Sequence, residues 1–575
     1  METLVNEKQT ITAKKTMSGA EAVICSLLAE GVETIFGYPG GAIMPIYDAL
    51  YNYMDQVNHI LVRHEQGAMH AAQGFARVRN EVGVVFATSG PGATNLITGI
   101  ADALSDSTPI VCITGQVPSS LLGSDAFQET DVIGISMPVT KWNHQITSAS
   151  EIPEIIAKAF YIAKTGRPGP VVIDITKDAQ FASMEFEYHK CSKIRTYNPV
   201  PRIREEQLQQ AASLINGSER PFLLIGQGVL ISQAQDILRS LIERANIPAA
   251  CTILGLSALE NSHPLNVGML GMHGNYAPNL LTNECDVLIA VGMRFDDRVT
   301  GDLTKYARQA KVIHIDIDPS EIDKNVKADV PLVGDAKQVL EALLPLLTEN
   351  SHEPWLKRFK DLYEIEVEKV INQALYPQTE GILMGEVIRH ISEATDGGAI
   401  IVTDVGQHQM VTSRYYKFKY PHSSITSGGL GTMGFALPAA MGAKVGKPER
   451  PVVAVIGDGG FQMTLQELGT ISQYKIPVKI VILNNSFLGM VRQWQQMFFE
   501  KRYSFTEMKN PDFITVARGF SIQGQKVTDR KDLAKAVKQM LDHHAAYLLE
   551  VVVEPEENVF PMIPSGAAVD EIRME

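Results

Sequence analysis

Ten short runs rich in Val and Ile, many of them apolar on both faces, set the limits on what this chain can fold into. They are Val82–Thr88, Pro109–Thr114, Val171–Ile175, Phe222–Ile225, Val287–Val291, Val312–Ile317, Ile400–Thr403, Val452–Ile456, Lys479–Leu483 and Leu548–Val553. A strand with one wet face alternates apolar and polar residues. A strand apolar on both faces must be covered on both, as a parallel strand is between two layers of helices. Helical patterns lie between the runs, and many runs stop at Gly, Asp or Asn. The expected class is α/β, with three doubly wound parallel-sheet domains. In such sheets ligands bind outside the carboxyl ends of the strands.

The length of 575 residues exceeds one core, since domains hold roughly 100–200 residues. Two linker-like stretches divide it. One runs from Ser192 to Arg204 with Pro199 and Pro201; the other is charged and covers 348–379. The expected domains are 1–190, 191–347 and 380–555, followed by a tail at 556–575. The net charge of -14 argues against a nucleic-acid partner, because phosphate backbones call for basic patches. Cys25, Cys112, Cys191, Cys251 and Cys285 are scattered, with no CxxC pair, and read as free thiols in a reducing compartment. The first 18 residues are polar and mixed in charge, without the apolar stretch of a signal peptide or an Arg-rich transit pattern. No apolar run is long enough to span a membrane. A cytoplasmic location is expected.

Chemistry enters at two strand ends. The run PVVAVIGDGG carries Asp458, and VKIVILNN ends at Asn485. A hard carboxylate oxygen and a neutral amide oxygen at neighbouring tips can share one Mg²⁺, with the backbone carbonyl of Phe487 and phosphate oxygens completing an octahedron. Gly457, Gly459 and Gly460 let the backbone approach a diphosphate. The segment after them, FQMTLQELGTISQY, reads as a crossover helix with its positive end toward the anion. This pairing points to thiamine diphosphate (ThDP). GDG alone is an ordinary turn; GDG followed at this spacing by a strand ending in NN is far more specific.

Two patterns are decoys. Gly429, Gly431 and Gly434 spell GxGxxG, but HSSITS before them does not read as a buried strand and the acidic partner of a dinucleotide fingerprint is missing. A glycine-rich turn packed on a cofactor is expected there. His64, Glu65 and His70 cluster like a zinc site, but the two His are six residues apart and do not share a helix face as in HExxH. In the middle domain GQG at Gly226–Gly228, GMHG at Gly271–Gly274, RFDDR at Arg294–Arg298 and DIDP at Asp316–Pro319 follow strands. Such glycine turns suit a nucleotide diphosphate, and an acidic strand end suits a ribose.

The stretches GYPGGAIMPIYDAL, RHEQGAMHAAQGFAR, TSGPGATN, GSDAFQETD, GRPGPVVIDI, GMHG, GMRFDDRVTG, HIDIDPSEI, GGLGTMGFALPAA, GDGGFQM and NNSFLGMVRQWQ span Gly37 to Gln495. In these the chain resembles the catalytic subunits of the acetohydroxyacid synthase (acetolactate synthase) family, ThDP-dependent enzymes of branched-chain amino acid synthesis. The resemblance implies three domains of the ThDP-decarboxylase type: pyrimidine-binding, central FAD-binding and diphosphate-binding. It implies decarboxylation of pyruvate and ligation of the remaining two carbons to pyruvate or 2-oxobutyrate. The products are 2-acetolactate and 2-aceto-2-hydroxybutyrate.

Residue roles follow from the same resemblance. Glu65 is the carboxylate that binds the aminopyrimidine ring nitrogen. Pro91, Asn95, Val405, Gly406, Gln407, His408, Gly431, Leu488, Gly489 and Met490 join the metal residues around ThDP, and Met433 props the cofactor in its bent shape. Gly41, Gln128 and Lys177 surround the reacting groups, and Pro118, Phe127 and Met490 line the access channel. Arg298 holds the acceptor carboxylate, for which a guanidinium fork is suited; Asp296 or Asp297 could instead pair with it. Trp494 selects the larger acceptor by packing on its extra methyl. FAD falls to Arg167, Gly226, Gly228, Met272, His273, Gly274, Gly292, Arg294, Asp296, Arg298, Asp316, Ile317 and Asp335, and performs no net redox; the RFDD run suits the biosynthetic, flavin-containing form. The family also implies a homodimer with interfacial sites and a separate small regulatory subunit. Other ThDP/FAD enzymes, a pyruvate oxidase or a glyoxylate carboligase, are the enzymatic alternative. A non-catalytic nucleotide-binding protein is the alternative from another class; intact Glu65, Asp458 and Asn485 oppose it.

Overall fold

The computed structural model describes residues 15–575, so the N-terminal stretch read as free of targeting signals lies, up to residue 14, outside the described residues. The chain forms two compact units that meet in sequence at Asn198 and Pro199. The first holds β1 (Lys15–Ser18), β2 (Thr34–Gly37), β3 (Asn58–Leu61), β4 (Gly83–Ala87), β5 (Ile110–Gln116), β6 (Trp142–Ile146), β7 (Pro170–Thr176) and β8 (Ser183–Phe186). Six of these make a parallel sheet in the order β3-β2-β4-β5-β7-β6, and β1 pairs antiparallel with β8.

The second unit carries two further six-stranded parallel sheets. Its first sheet consists of β9 (Pro221–Ile225), β10 (Ala249–Cys251), β11 (Asn266–Met269), β12 (Val287–Val291), β13 (Lys311–Asp316) and β14 (Val330–Val333), ordered β11-β10-β9-β12-β13-β14. That is the dinucleotide-binding order, with its switch point between β9 and β12. Its second sheet consists of β15 (Ile400–Thr403), β16 (Ser424–Thr426), β17 (Val452–Gly457), β18 (Lys479–Asn484), β19 (Gln523–Val527) and β20 (Tyr547–Val552), ordered β16-β15-β17-β18-β20-β19. This repeats the order of the first unit's sheet, and the switch points fall between β2 and β4 and between β15 and β17.

All ten Val/Ile-rich runs are strands. Every residue of β4, β5, β7, β9 and β12 is buried, as expected of strands covered on both faces. Full burial stabilises each Val, Leu or Ile by about 1.5–3 kcal/mol, enough to offset about 1–2 kcal/mol of backbone ordering per residue. Helices start and stop on local signals. Ser18 caps Gly19–Glu30 by accepting from Glu21 N, and Gly31 ends it at φ +87°. His64 caps Glu65–Arg79 by accepting from Gln66 N, and Asn80 ends it at φ +54°. Residues 353–375 are helical, and Trp355 docks on the middle sheet with its indole N–H donating to Pro221 O at 2.9 Å.

Two readings are corrected. HSSITS does hold a strand: Ser424–Thr426 is β16, a three-residue edge strand parallel to β15. Its brevity and its polar ends hide it, because an edge strand needs less apolar cover. The segment after the GDG run is also no single crossover helix. It is α-helical over Asp458–Thr464 and Leu468–Gln473, with a 3₁₀ turn at Leu465–Glu467 between them, where buried Thr464 hydrogen-bonds Gly434 O at 2.9 Å. Among the described residues no helix is long and apolar enough to cross a membrane.

Candidate active site

The tips of β17 and β18 lie side by side, since Gly457 is in register with Leu483. Asp458 therefore sits next to Asn484, with Asn485 one residue beyond; Asp458 and Asn485 are both buried. Burial pushes the Asp458 carboxyl up to about 6, against the lowering pull of the Asn510 amide, which donates to its Oδ2 at 2.7 Å. Asn485 Oδ1 accepts from Phe487 N at 3.1 Å, and its Nδ2 lies 3.4 Å from Gln407 Oε1. Ser486 adopts φ +56°, and the turn is braced by Thr506 O accepting from Leu488 N and Ser486 O accepting from Met508 N, each at 2.8 Å. The buried Asp458 carboxylate, the Asn485 amide oxygen and the Phe487 carbonyl make an all-oxygen donor set, which fits Mg²⁺.

Space for a diphosphate adjoins this set. A Cβ on Gly459 would come within 2.8 Å of Leu488 and 3.7 Å of the Met433 methyl, one on Gly489 would press on Asn485 Nδ2 at 2.7 Å, and one on Gly431 would meet nothing nearer than Val405 at 3.9 Å. Gly406 turns the chain at φ +146° into the helix Gln407–Tyr415. His408 is buried, burial drives its imidazole down to about 3, and its Nε2 has no hydrogen-bond partner among the described residues. A neutral imidazole packed beside Gly457 with its Nε2 orphaned suits a ligand contact. Gln407 differs: its amide is spent internally on Gln493 Oε1 at 3.0 Å and Glu557 O at 2.7 Å.

Sequence reasoning missed three residues here. Asp404, fully buried and pushed up to about 6, accepts from Gly434 N at 3.1 Å and Phe435 N at 3.0 Å, and so pins the glycine-rich loop to β15. A Cβ on Gly460 would overlap its carboxylate. Asn510 bridges Asp458 and Asn484 Oδ1, the latter at 3.0 Å. TDVG at the end of β15 was the available sign of Asp404, and the NN ending of β18 that of Asn484; nothing local marks Asn510.

In the first unit, Glu65 opens its helix and is buried, with Oε2 accepting from Asn95 Nδ2 at 2.9 Å. Pro91 starts the short helix that presents Asn95. Gln128 takes φ +58°, with its backbone against Gly90, whose added Cβ would lie 3.0 Å from Gln128 Cα. Phe127 beside it is 87% exposed. Gly41 faces open space, and Lys177 follows β7 directly. Arg167 Nε donates to Ser107 Oγ at 2.9 Å. His70 is fully buried and driven down to about 3, with Gln66 and Gln73 as neighbours. Among the described residues no group of three His, Cys, Asp or Glu could hold a metal.

In the middle sheet, Gly226 and Gly228 follow β9 and Gly292 follows β12, at the switch point; Gly228 N donates to Gly292 O at 2.9 Å, and a Cβ on Gly228 would meet Gly292 Cα at 2.6 Å. Met272 N donates to Arg298 O at 2.7 Å. His273 is buried and lowered to about 4 by burial and by Arg414, with Nδ1 unpartnered among the described residues. Gly274 offers its carbonyl to Arg414. Asp316 ends β13, and its Oδ1 accepts from Asp318 N at 2.8 Å, with Ile317 between them. Asp335 caps the helix Ala336–Leu343 and Asp296 caps Asp297–Thr300 through their side chains, so both carboxylates serve local structure. Asp296 is raised by burial, with Arg294 pulling the other way. Arg298 is exposed, 3.8 Å from Asp297, and lines a cavity of 220 Å³ with Met272, Gly301 and residues 563–566 of the tail. Trp494 is half-buried on the helix Gly489–Phe498, its ring 5.2 Å from that of Phe498.

Three family models cover this architecture. They are the thiamine pyrophosphate enzyme N-terminal TPP binding domain (residues 17–135), central domain (208–343) and C-terminal TPP binding domain (404–551). The chain is 48% identical over 565 residues to a probable acetolactate synthase large subunit of Methanocaldococcus jannaschii, covering 97% of this chain and 95% of the relative. It is 46% identical over 557 residues to the acetolactate synthase isozyme 2 large subunit of Escherichia coli, covering 97% and 99%. It is 45% identical over 567 residues to the acetolactate synthase large subunit of Lactococcus lactis subsp. lactis, covering 98% and 97%. The resemblance first carried by eleven sequence stretches thus extends over nearly the whole length, and the chain belongs to the acetolactate synthase large-subunit family of thiamine diphosphate enzymes.

Proposed function

We propose that this chain is the catalytic subunit of an acetolactate synthase that joins the two carbons left after pyruvate loses CO₂ to a second pyruvate or to 2-oxobutyrate. The observation that carries the cofactor class is the buried Asp458 beside Asn485 at neighbouring parallel strand tips. Bound ThDP supplies the electron sink that makes loss of CO₂ feasible. Asp458, Asn485 Oδ1 and Phe487 O would hold Mg²⁺, and His408 Nε2 would meet the diphosphate. Glu65, kept in place by Asn95, would bind the aminopyrimidine and direct its proton traffic. Arg298 would bind the acceptor carboxylate, Trp494 would sense the acceptor side chain, and Gly41, Gln128 and Lys177 would border the reacting groups.

FAD is assigned to the middle sheet. Its dinucleotide strand order, the close-packed Gly228 and Gly292 at the switch point and the orphaned His273 Nδ1 support the assignment. A homodimer with interfacial sites, a small regulatory subunit and a cytoplasmic location complete the proposal by family likeness.

The test is product identification from pyruvate, with and without 2-oxobutyrate, in the presence of ThDP, Mg²⁺ and FAD. Expected are 2-acetolactate alone and, with both acids, 2-aceto-2-hydroxybutyrate. Acetate with peroxide would reassign the chain to the oxidases. Tartronate semialdehyde from glyoxylate would reassign it to the glyoxylate carboligases, against which Glu65 stands.

A further inference from the structure

One ion pair in the second unit has both side chains fully buried. Glu366, at the end of the helix Glu353–Glu366, meets the guanidinium of Arg414, and each side chain is 0% exposed. A buried ion pair costs several kcal/mol of desolvation per ion and is weak evidence for stability, so its hydrogen bonds need a reason. Here they converge on one loop. Glu366 accepts from Asn275 Nδ2 at 3.0 Å and from Tyr276 N at 2.7 Å. Arg414 donates to His273 O at 3.1 Å and Gly274 O at 2.8 Å. The loop 271–274 in turn fixes its neighbours: Met272 N holds Arg298 O at 2.7 Å, and Met272 O holds Ile563 N at 2.8 Å.

The two carriers of the pair are also informative. Arg414 lies on the helix that begins with Gln407 and His408, beside the Asp458–Asn485 strip. Glu366 immediately precedes a π-helical turn, Val367–Ile371, a local irregularity found often at functional sites.

We infer that Glu366 and Arg414 are a positioning pair that sets the loop 271–274, and through it the place of Arg298, so that flavin affinity and acceptor binding depend on two side chains that touch neither ligand. The flavin and acceptor parts rest on the function proposed above; the loop part does not. The pair anchors the loop from outside the cavity lined by Met272 and Arg298, and it links that loop by one rigid helix to the strip at β17 and β18.

The experiment uses the full-length protein as wild type, Glu366→Gln, Arg414→Lys and the double variant Glu366→Gln/Arg414→Met, which removes the uncompensated buried charge. Amide hydrogen exchange, FAD titration by flavin fluorescence, Mg²⁺–ThDP titration and the KM for 2-oxobutyrate are read on each. In the double variant, protection should fall at the amides of Met272 and Asn275 and stay at those of Gly228 and Gly292. FAD affinity should fall about tenfold, and KM for 2-oxobutyrate should rise more than kcat falls, while the Mg²⁺–ThDP midpoint stays. Wild-type protection at Met272 and Asn275 would overturn the positioning role. Lost protection with unchanged FAD affinity and KM would overturn its consequence for the site. If wild type binds no flavin, the middle-domain assignment fails, and the exchange result still decides on the pair.

Discussion

Asn510 Nδ2 donates to Asp458 Oδ2 at 2.7 Å and to Asn484 Oδ1 at 3.0 Å, joining a residue 52 positions away to the carboxylate at the tip of β17. Asn484 passes the contact on to buried Glu550 at 2.8 Å, which Lys526 meets from the surface at the same distance. The Asp458 carboxylate is thus the end of a hydrogen-bonded row that fixes its rotamer. Partners of this kind orient metal ligands and tune their affinity.

Asn510→Ala leaves Asp458 buried with its amide partner gone. The expected result is Mg²⁺-dependent ThDP binding weakened about tenfold, at the lower end of what loss of a ligand's supporting partner costs. Titrating Mg²⁺ against protein fluorescence in saturating ThDP reads the midpoint, and an unmoved midpoint would remove Asn510 from the site.

Glu65→Gln keeps the shape and the Asn95 contact partner but removes the charge. ThDP should still bind, while turnover falls about 10²–10⁴-fold, the usual worth of a positioned acid–base group. Turnover close to wild type would refute the assignment of Glu65.

Trp494 is half-buried beside Phe498, so part of its side chain remains exposed. Trp494→Leu should cut the preference for 2-oxobutyrate over pyruvate by about tenfold, since one methylene is worth about 1–3 kcal/mol in a pocket. Acetolactate formation from pyruvate alone should survive. The ratio of the two products under competing acids is the measurement, and a constant ratio counts against Trp494.

Glu557 in the tail accepts from Met384 N at 2.9 Å, and burial raises its carboxyl to about 7. A carboxyl raised on folding binds its proton more tightly in the native state. Its contribution is therefore full below the unfolded value near 4.3 and is lost as pH rises through about 7. Glu557→Gln should stabilise the protein at pH 8 by on the order of 1–3 kcal/mol after allowance for partial exposure, and so raise its Tm there, and should leave the Tm unchanged at pH 4. Thermal unfolding at both pH values decides; equal Tm shifts at both would show that its titration is irrelevant.

Much of the fold was legible because buried parallel strands write their burial on both faces. β12 (Val287–Val291) and β15 (Ile400–Thr403) match the predicted bounds, and the other eight runs differ at their ends by one or two residues. The edge strands β16 and β19 were not legible. Ser424–Thr426 has one buried apolar side chain and Gln523–Val527 reads QGQKV, so pairing with a neighbour, not composition, makes them strands.

The sequence by itself determined the family, the α/β class and the places of Asp458, Asn485 and Glu65, because those depend on short runs whose chemistry is local. The tertiary structure alone decided which side chains hold them. Asn510 reaches Asp458, Asp404 grips the loop at Gly434, and Glu366 and Arg414 close on 271–274 across long stretches of chain. Hydrogen bonds between residues distant in sequence follow from how sheets and helices pack, and no local pattern of apolar or polar residues encodes them.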